Sequence, residues 1–253
     1  MSGHNKWSSI KHKKAAVDAK RGQVFTRYIR EITIAARLGG DDPATNPRLR
    51  AAITAAKGVN MPKDNIERAT ARGTGGEDGT HIEEVRYEGY GQAGVAILVD
   101  CMTDNRNRTV ADVRSAFNKG GGHMGESGCV SWMFHQKGQC IFAHDTVDQE
   151  QLMEIALEAG ADDIQDDNEA GYTTVICAPA DFGTLHQALD DAVLEAELCE
   201  ITWLPENCIA VEGEAAEKLL ALIERLEDLD DVQHVYANYD ISDAEMERIS
   251  GLN

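Results

Sequence analysis

The positions of the hydrophobic side chains divide the chain into a helical part and a mixed part. Over residues 24–40 apolar residues recur every three to four positions, which is the spacing of an amphipathic helix that ends at two glycines. Asn46 followed by Pro47 is typical of a helix start, and this second helix is predicted to run to residue 58. A third helix is predicted over residues 62–72, where Gly73 stops it. The first part of the chain is therefore predicted to be a three-helix domain.

After the glycine-rich segment 73–80, which is predicted to be a hinge, the hydrophobic period changes to two. Residues 84–100 are predicted to form a β-hairpin, followed by an amphipathic helix and by a strand over residues 129–134. Residues 138–204 then follow the order strand, helix, two strands, helix, strand. That order predicts a ferredoxin-like domain.

A last strand, helix and strand, predicted over residues 208–212, 214–226 and 232–239, are too few for a domain of their own. We expect them to return to the unit that begins at residue 81, which makes residues 138–204 an insertion. The predicted fold class is α+β multidomain, with an N-terminal three-helix domain and two ferredoxin-like α/β domains, one inserted in the other. The predicted boundaries are 1–75 for the helical domain, 81–135 plus 206–240 for the discontinuous domain, and 138–204 for the inserted one.

Charge is divided as sharply as the hydrophobic pattern. The whole chain has a formal charge of −20, yet residues 1–72 carry 15 Lys and Arg against 6 Asp and Glu, a net +9. The remaining residues carry 9 basic against 38 acidic side chains, a net −29. A polyanion would be attracted by one end of the protein and repelled by the rest.

The first thirty residues hold eight cations against one acid, Asp18, together with Trp7 and two histidines. In a helix, the cations at positions 6, 13, 20 and 27 would form one stripe suited to a row of phosphates, and the aromatic side chains could stack on bases. The alternative is a solvated terminal tail. The candidate nucleic-acid-binding residues of the whole chain are Lys6, Trp7, Lys11, His12, Lys13, Lys14, Lys20, Arg21, Arg27, Arg30, Arg48, Arg50, Lys63, Arg106 and Arg108.

Other chemistry has weaker support in the sequence. The six cysteines lack the paired short spacing of a zinc site and are interpreted as buried, reduced thiols. The glycine-rich loop 120–128 could cradle a phosphate but lacks the lysine of a P-loop, and the acids at 162–167 lack a calcium-loop spacing. No catalytic motif is present, so we expect neither an enzyme nor a bound metal or cofactor.

Six motifs together resemble the YebC family over nearly the whole chain. They are the segments 3–14 (GHNKWSSIKHKK), 18–22 (DAKRG), 46–50 (NPRLR), 60–65 (NMPKDN), 87–91 (YEGYG) and 103–109 (TDNRNRT). One departure is Gln92-Ala93, where many members have proline before a small residue. The resemblance implies a helical domain followed by two α/β domains, one interrupted by the other. Members of the family are known as probable transcriptional regulators, and a mitochondrial relative is a translational activator of cytochrome oxidase.

Two functional classes therefore compete. The preferred reading is a ribosome-associated or RNA-associated translation factor, with rRNA or tRNA as partner, because the charges suit a phosphate backbone and no known base-reading motif is visible. The alternative is a DNA-binding transcriptional regulator. A basic protein is a further candidate partner, for the acidic domains. No apolar run could span a membrane and no secretory signal is evident, so we expect a cytoplasmic protein.

Overall fold

A computed structural model describes residues 21–75, 82–168 and 170–250. It confirms the predicted α+β class: three helices are followed by two antiparallel four-stranded sheets with helices packed on them. The helices are α1 (Arg21–Gly39), α2 (Pro47–Gly58), α3 (Lys63–Thr74), α4 (Arg106–Lys119), α5 (Gln149–Glu158), α6 (Phe182–Asp191), α7 (Gly213–Glu227) and α8 (Asp243–Ser250). The strands are β1 (Glu83–Tyr90), β2 (Ala96–Thr103), β3 (His123–Met124), β4 (Phe134–Ala143), β5 (Asp163–Asp167), β6 (Tyr172–Cys177), β7 (Leu198–Pro205), β8 (Ile209–Ala210), β9 (Val232–Ala237) and β10 (Tyr239–Asp240).

Helices α1, α2 and α3 share one core of alanine and larger aliphatic side chains, including the fully buried Ile32 and Leu49. Asn46 caps α2 as predicted: its side-chain oxygen accepts a hydrogen bond from the Leu49 amide at 3.1 Å. The Asn46 side-chain nitrogen also donates to the Ala35 carbonyl at 2.7 Å. One side chain therefore begins α2 and holds it against α1.

Gly73 does not stop the third helix, which continues to Thr74. A side chain at residue 73 would lie 2.7 Å from the Cβ of Ala36 and would collide with the Thr33 carbonyl. Thr33 also donates its hydroxyl to the Ala69 carbonyl at 3.2 Å. The glycine therefore allows α1 and α3 to approach closely, so the interpretation of Gly73 as a helix stop is wrong.

The first sheet has the strand order β3-β1-β2-β9, with every pair antiparallel. Helices α4 and α7 pack on one of its faces, where Phe117, Leu219 and Leu226 are fully buried. Between β1 and β2 the chain makes a short 3-10 turn in which Ala93 has a φ of 55°, a left-handed conformation uncommon for alanine. The sheet thus joins strands from residues 83–124 with a strand that begins at residue 232.

The second sheet has the order β5-β6-β4-β7, again antiparallel, with α5 and α6 packed on it. This is the predicted ferredoxin-like arrangement. The division into domains 1–75, 81–135 plus 206–240, and 138–204 remains a prediction. Strand β4 begins at Phe134 and runs without a break through the proposed boundary between 135 and 138.

Two of the predicted strands are wrong. Residues 129–134 are not a strand, because residues 131–133 form a 3-10 turn and β4 begins only at Phe134. The strand predicted over 208–212 is reduced to the two residues of β8, which pair in parallel with β10 in a separate small sheet. Helix α8, over Asp243–Ser250, has no counterpart among the predicted elements.

The cysteines also differ from expectation. Cys140 on β4 and Cys199 on β7 face each other across the two strands and form a disulfide. Cys101 and Cys177 are buried thiols, and burial raises the pKa of Cys101 to about 12. The prediction that all six cysteines are reduced is therefore wrong for one pair.

Candidate nucleic-acid interface

Seven of the predicted nucleic-acid-binding residues lie outside the described part of the chain: Lys6, Trp7, Lys11, His12, Lys13, Lys14 and Lys20. For these residues the role remains a prediction. Arg21 is the first residue of α1. The structure places the other seven, and it divides them into cations that bind to the rest of the protein and cations that face solvent.

Arg27 and Arg30 lie on the face of α1 that meets the end of α7. The Arg27 guanidinium donates to the Glu227 carbonyl, and the Arg30 guanidinium donates to the Asp230 carbonyl. The Glu227 carbonyl, at the C-terminus of α7, attracts a cation because it lacks a partner within the helix and carries a partial negative charge. Burial lowers the pKa of Arg27, and the surrounding carboxylates oppose that shift. These two arginines thus dock the helical domain onto the segment that follows α7.

Asp231 is the centre of this contact. Its side chain is 6% exposed and forms an ion pair with Arg30 at 2.9 Å. From the other side it accepts hydrogen bonds from Arg108 at 2.9 Å and from the Thr109 hydroxyl at 2.7 Å. Burial raises the pKa of Asp231, but the hydrogen bonds from Thr109 and Arg108 and the charge of Arg30 bring it below the ordinary value. Residues far apart in sequence meet at this carboxylate, which holds α1, α4 and the start of β9 together.

The segment 103–109, one of the motifs singled out in the sequence, is largely built around that carboxylate. Asn105 caps α4 by accepting from the Arg108 amide at 3.1 Å. The hydroxyl oxygens of Thr103 and Thr109 lie 2.7 Å apart, and the Thr103 hydroxyl oxygen accepts a hydrogen bond from the Asn105 amide at 2.9 Å. Arg106, in contrast, is exposed in the first turn of α4. Of the two arginines predicted here to bind nucleic acid, Arg108 therefore pairs with Asp231 and Asp104, whereas Arg106 is exposed beside the Tyr87 hydroxyl.

Arg48 is a second bridge between domains. Its guanidinium pairs with Glu31 of α1 at 2.7 Å and with Glu84 of β1. The hydrogen bond with Glu31 is the main reason that its pKa is raised. Arg48 therefore joins the helical domain to the first sheet.

A separate group of cations is exposed on α2 and α3. Arg50 points outward and donates to the carbonyl of Pro43 at 3.0 Å, and Lys63 lies 3.3 Å from Glu67 in a weak surface pair. The exposed cations of these helices are Arg50, Lys57, Lys63, Arg68 and Arg72. Within the described residues, this is the surface on which the helical domain presents positive charge.

The glycine loop 120–128 does not form a vacant phosphate cradle. The buried Glu88 carboxylate accepts hydrogen bonds from the amides of Gly128, Val130 and Ser131 at 2.7, 2.8 and 2.8 Å. Burial raises the pKa of Glu88, but these three amides outweigh that effect and lower it. The three hydrogen bonds to Glu88 also hold residues 128–133 in turns, which explains why the predicted strand at 129–134 is absent. The protein's own carboxylate occupies the anion site that these amides make.

The acidic side chains at residues 162–167 do not point toward a common site that could hold a metal ion. Residues 163–167 form β5, in which successive side chains point to opposite faces, and Asp162 pairs with Lys137 at 2.9 Å. Among the residues that the structure describes, no group of three or more His, Cys, Asp or Glu side chains is arranged to hold a metal ion. Within those same residues, every helix is too short or too polar to cross a bilayer.

The architecture defines a three-part α+β protein in which a basic helical domain is tied to two mainly acidic ferredoxin-like domains. Residues 5–76 match the N-terminal domain of the TACO1/YebC proteins, and residues 82–239 match their second and third domains. The chain belongs to the TACO1/YebC family.

Similar proteins of known sequence and structure agree with that assignment. The chain is 58% identical to the probable transcriptional regulatory proteins of Citrifermentans bemidjiense and Geobacter sulfurreducens, over 98% of its own length and 100% of theirs. A crystal structure of a conserved hypothetical protein, Aq1575 from Aquifex aeolicus, superposes with a TM-score of 0.80 at 44% identity, covering 90% of this chain and 93% of that one. The resemblance to the YebC family is thus confirmed.

Proposed function

We propose that this protein is a nucleic-acid-binding regulator of gene expression whose basic N-terminal domain contacts the phosphate backbone. The observation that carries the proposal is the charge division, net +9 over residues 1–72 against net −29 over the remainder. A phosphate backbone is attracted by the basic residues 1–72 and repelled by the acidic remainder of the chain. A bound polyanion would therefore lie against the basic part. The protein acts without catalysis, and its working compartment is the cytoplasm.

DNA is the first candidate partner, in regulation of transcription. The support is the name of the relatives, probable transcriptional regulatory protein. The exposed cations of α2 and α3 are suited to phosphate contacts. Recognition of a promoter would in addition need side chains that reach base edges in a groove.

RNA is the second candidate, in a ribosome-associated translation factor. Arg27, Arg30 and Arg48 are engaged by carbonyls and carboxylates of the protein itself, and the exposed cations of α2 and α3 suit contact with a phosphate backbone. RNA duplexes are bound mainly through shape and backbone. The acidic domains would then face away from the RNA.

A competition experiment separates the two candidates. Affinity is measured at near-physiological salt for a candidate promoter and for a scrambled duplex of equal length, alongside co-sedimentation with intact ribosomes. A promoter preference of roughly a thousandfold or more, the size expected for specific regulators, with no ribosome association, supports the transcriptional role. Equal affinity for both duplexes, together with ribosome binding, supports the translational role. Failure to bind either polyanion overturns the proposal.

The interface is tested by removing exposed cations. Changing Arg50, Lys57 and Arg72 to alanine should weaken binding and reduce the slope of log affinity against log salt by up to about 0.9 for each lost phosphate contact on duplex DNA. Neutralising the predicted cations Lys11, Lys13, Lys14 and Lys20 should do the same. The matched control removes three exposed cations outside the helical domain, Lys119, Lys218 and Arg225. Equal effects of the control and the test set would show that only total charge matters and would contradict the assigned interface.

A further inference from the structure

The inserted ferredoxin-like domain is strongly acidic, and its one basic side chain among Lys and Arg is Lys137, near the start of β4. Between Lys137 and Lys218 there is no lysine or arginine, and residues 138–204 contain 16 Asp and Glu. A field of one sign over a whole domain can steer a partner of opposite charge toward it. The domain is therefore repelled by nucleic acid and attracted to cationic partners.

A groove opens on this domain where α6 ends and the chain turns toward β7. Leu189 and Leu194, 3% and 8% exposed, form its apolar floor, and Asp190 and Glu195 stand exposed at its rim. His186 also lines the groove, and its Nδ1 lies 3.0 Å from the Asp190 carboxylate. Val193 also lines the groove and is 80% exposed. An apolar floor with an acidic rim fits a partner that combines apolar and basic side chains.

Val193 is an unexpected residue at its position. The chain leaves α6 by a pair of hydrogen bonds, from the Val193 amide to the Asp190 carbonyl at 2.9 Å and from the Leu194 amide to the Leu189 carbonyl at 3.0 Å. This geometry gives Val193 a φ of 58°, in the left-handed region that a β-branched side chain rarely adopts.

Helix α5, the other helix of the same domain, ends with the residue type usually found in this left-handed position. Helix α5 ends with the same pair of bonds, from Gly160 to Leu157 at 3.3 Å and from Ala161 to Ala156 at 2.9 Å, and there the left-handed residue is a glycine with a φ of 89°. Folding alone would favour glycine at residue 193 as well. A strained side chain that contributes little to the core, and is displayed beside a groove, indicates a use other than folding.

We propose that this groove, lined by Leu189, Asp190, Val193, Leu194 and Glu195, is a docking site for a lysine-rich or arginine-rich segment of another protein. Val193 and the groove floor contact an apolar side chain of that segment, while Asp190 and Glu195 pair with its cations. The site lies apart from the exposed cations of α2 and α3 and does not depend on which nucleic acid they bind.

The test measures binding of a short amphipathic leucine–lysine peptide to the full-length protein by fluorescence anisotropy. Val193→Gly and Val193→Asn both relieve the left-handed strain and remove the apolar side chain. We expect each variant to melt at a temperature equal to or above that of the wild type, yet to bind the peptide roughly tenfold more weakly, the size expected for an aliphatic side chain lost from a contact. Asp190→Asn with Glu195→Gln should also weaken binding, whereas the matched pair Asp145→Asn with Asp163→Asn, exposed elsewhere on the domain, should not.

Several outcomes would overturn the proposal. One is unchanged peptide affinity in both Val193 variants. Another is equal weakening by the two double variants, or equally tight binding of polylysine, since either would mean that bulk charge alone attracts the peptide. Competition by a peptide copying residues 1–20 would make the chain's own basic segment the occupant, and concentration-dependent self-association that Val193→Gly abolishes would make it a second copy. In both of those cases the partner proposed here is wrong.

Discussion

Replacing Asp231 with asparagine should loosen the contact between the helical domain and the rest of the protein. The change keeps the shape and one acceptor oxygen but removes the negative charge that faces Arg30 at 2.9 Å and Arg108 at 2.9 Å. Arg30 is 18% exposed and is left close to a neutral group, whereas Arg108 is 46% exposed and can turn to water. Arg30 and the Thr109 hydroxyl therefore account for most of the expected loss.

The magnitude follows from these contacts. Breaking a buried ion pair from one side costs about 3–5 kcal/mol, an exposed pair contributes about 0–1 kcal/mol, and a hydrogen bond to a charged group contributes about 1.5–3 kcal/mol. Since asparagine retains part of the hydrogen bonding, we expect a loss of about 3 kcal/mol in the free energy of unfolding, measured by urea titration. The matched control is Asp230→Asn, which removes the same charge from an exposed neighbour whose backbone carbonyl, rather than side chain, binds Arg30. A loss below about 0.5 kcal/mol, or the same loss in the control, would refute the reasoning.

The pH dependence provides a second check on the same carboxylate. Its pKa is lower in the folded protein than the ordinary value of 3.8, so the ionised form stabilises the fold. That contribution is fully present above the ordinary pKa and is lost as the pH falls from there through the lower folded pKa. The difference in stability between the wild type and Asp231→Asn should therefore be constant near neutrality and shrink in acid. A difference that is unchanged in strong acid would contradict the assignment.

Two further changes test the loop and the helical packing. Glu88→Gln should speed hydrogen exchange at the amides of Gly128, Val130 and Ser131, because a neutral side-chain amide accepts from backbone donors more weakly than a carboxylate. Unchanged protection of these amides would show that the loop is stable without the Glu88 carboxylate. Gly73→Ala should lower the melting temperature because the new methyl group collides with the Thr33 carbonyl, whereas Gly58→Ala, where nothing lies within 4 Å, should not; equal melting temperatures would refute the role given to Gly73.

Local sequence signals were enough for most elements of the fold. The Asn46 cap, the apolar period of α1 and the alternation in β1 and β2 are properties of neighbouring residues, so they could be interpreted without knowledge of the rest of the chain. The order of elements over residues 138–204 likewise indicated the ferredoxin-like sheet, because that topology follows from element order and from the rule that connections are short. The charge division was also evident, since it depends on composition alone.

Only the tertiary structure decided which charges remain available. Arg27 and Arg30 are of the residue type, and have the spacing, expected of side chains that bind phosphate. Their partners are instead backbone carbonyls about two hundred residues away in sequence, at and just after the end of α7. The turns at residues 128–133 likewise depend on hydrogen bonds to Glu88, which is distant in sequence. The disulfide depends on the strand register that places Cys140 opposite Cys199. A side chain's partner is determined by how elements pack, and packing brings together residues whose sequence separation hides the contact. The sequence thus determined the elements and the division of charge, whereas the packing determined which cations are left to bind a partner.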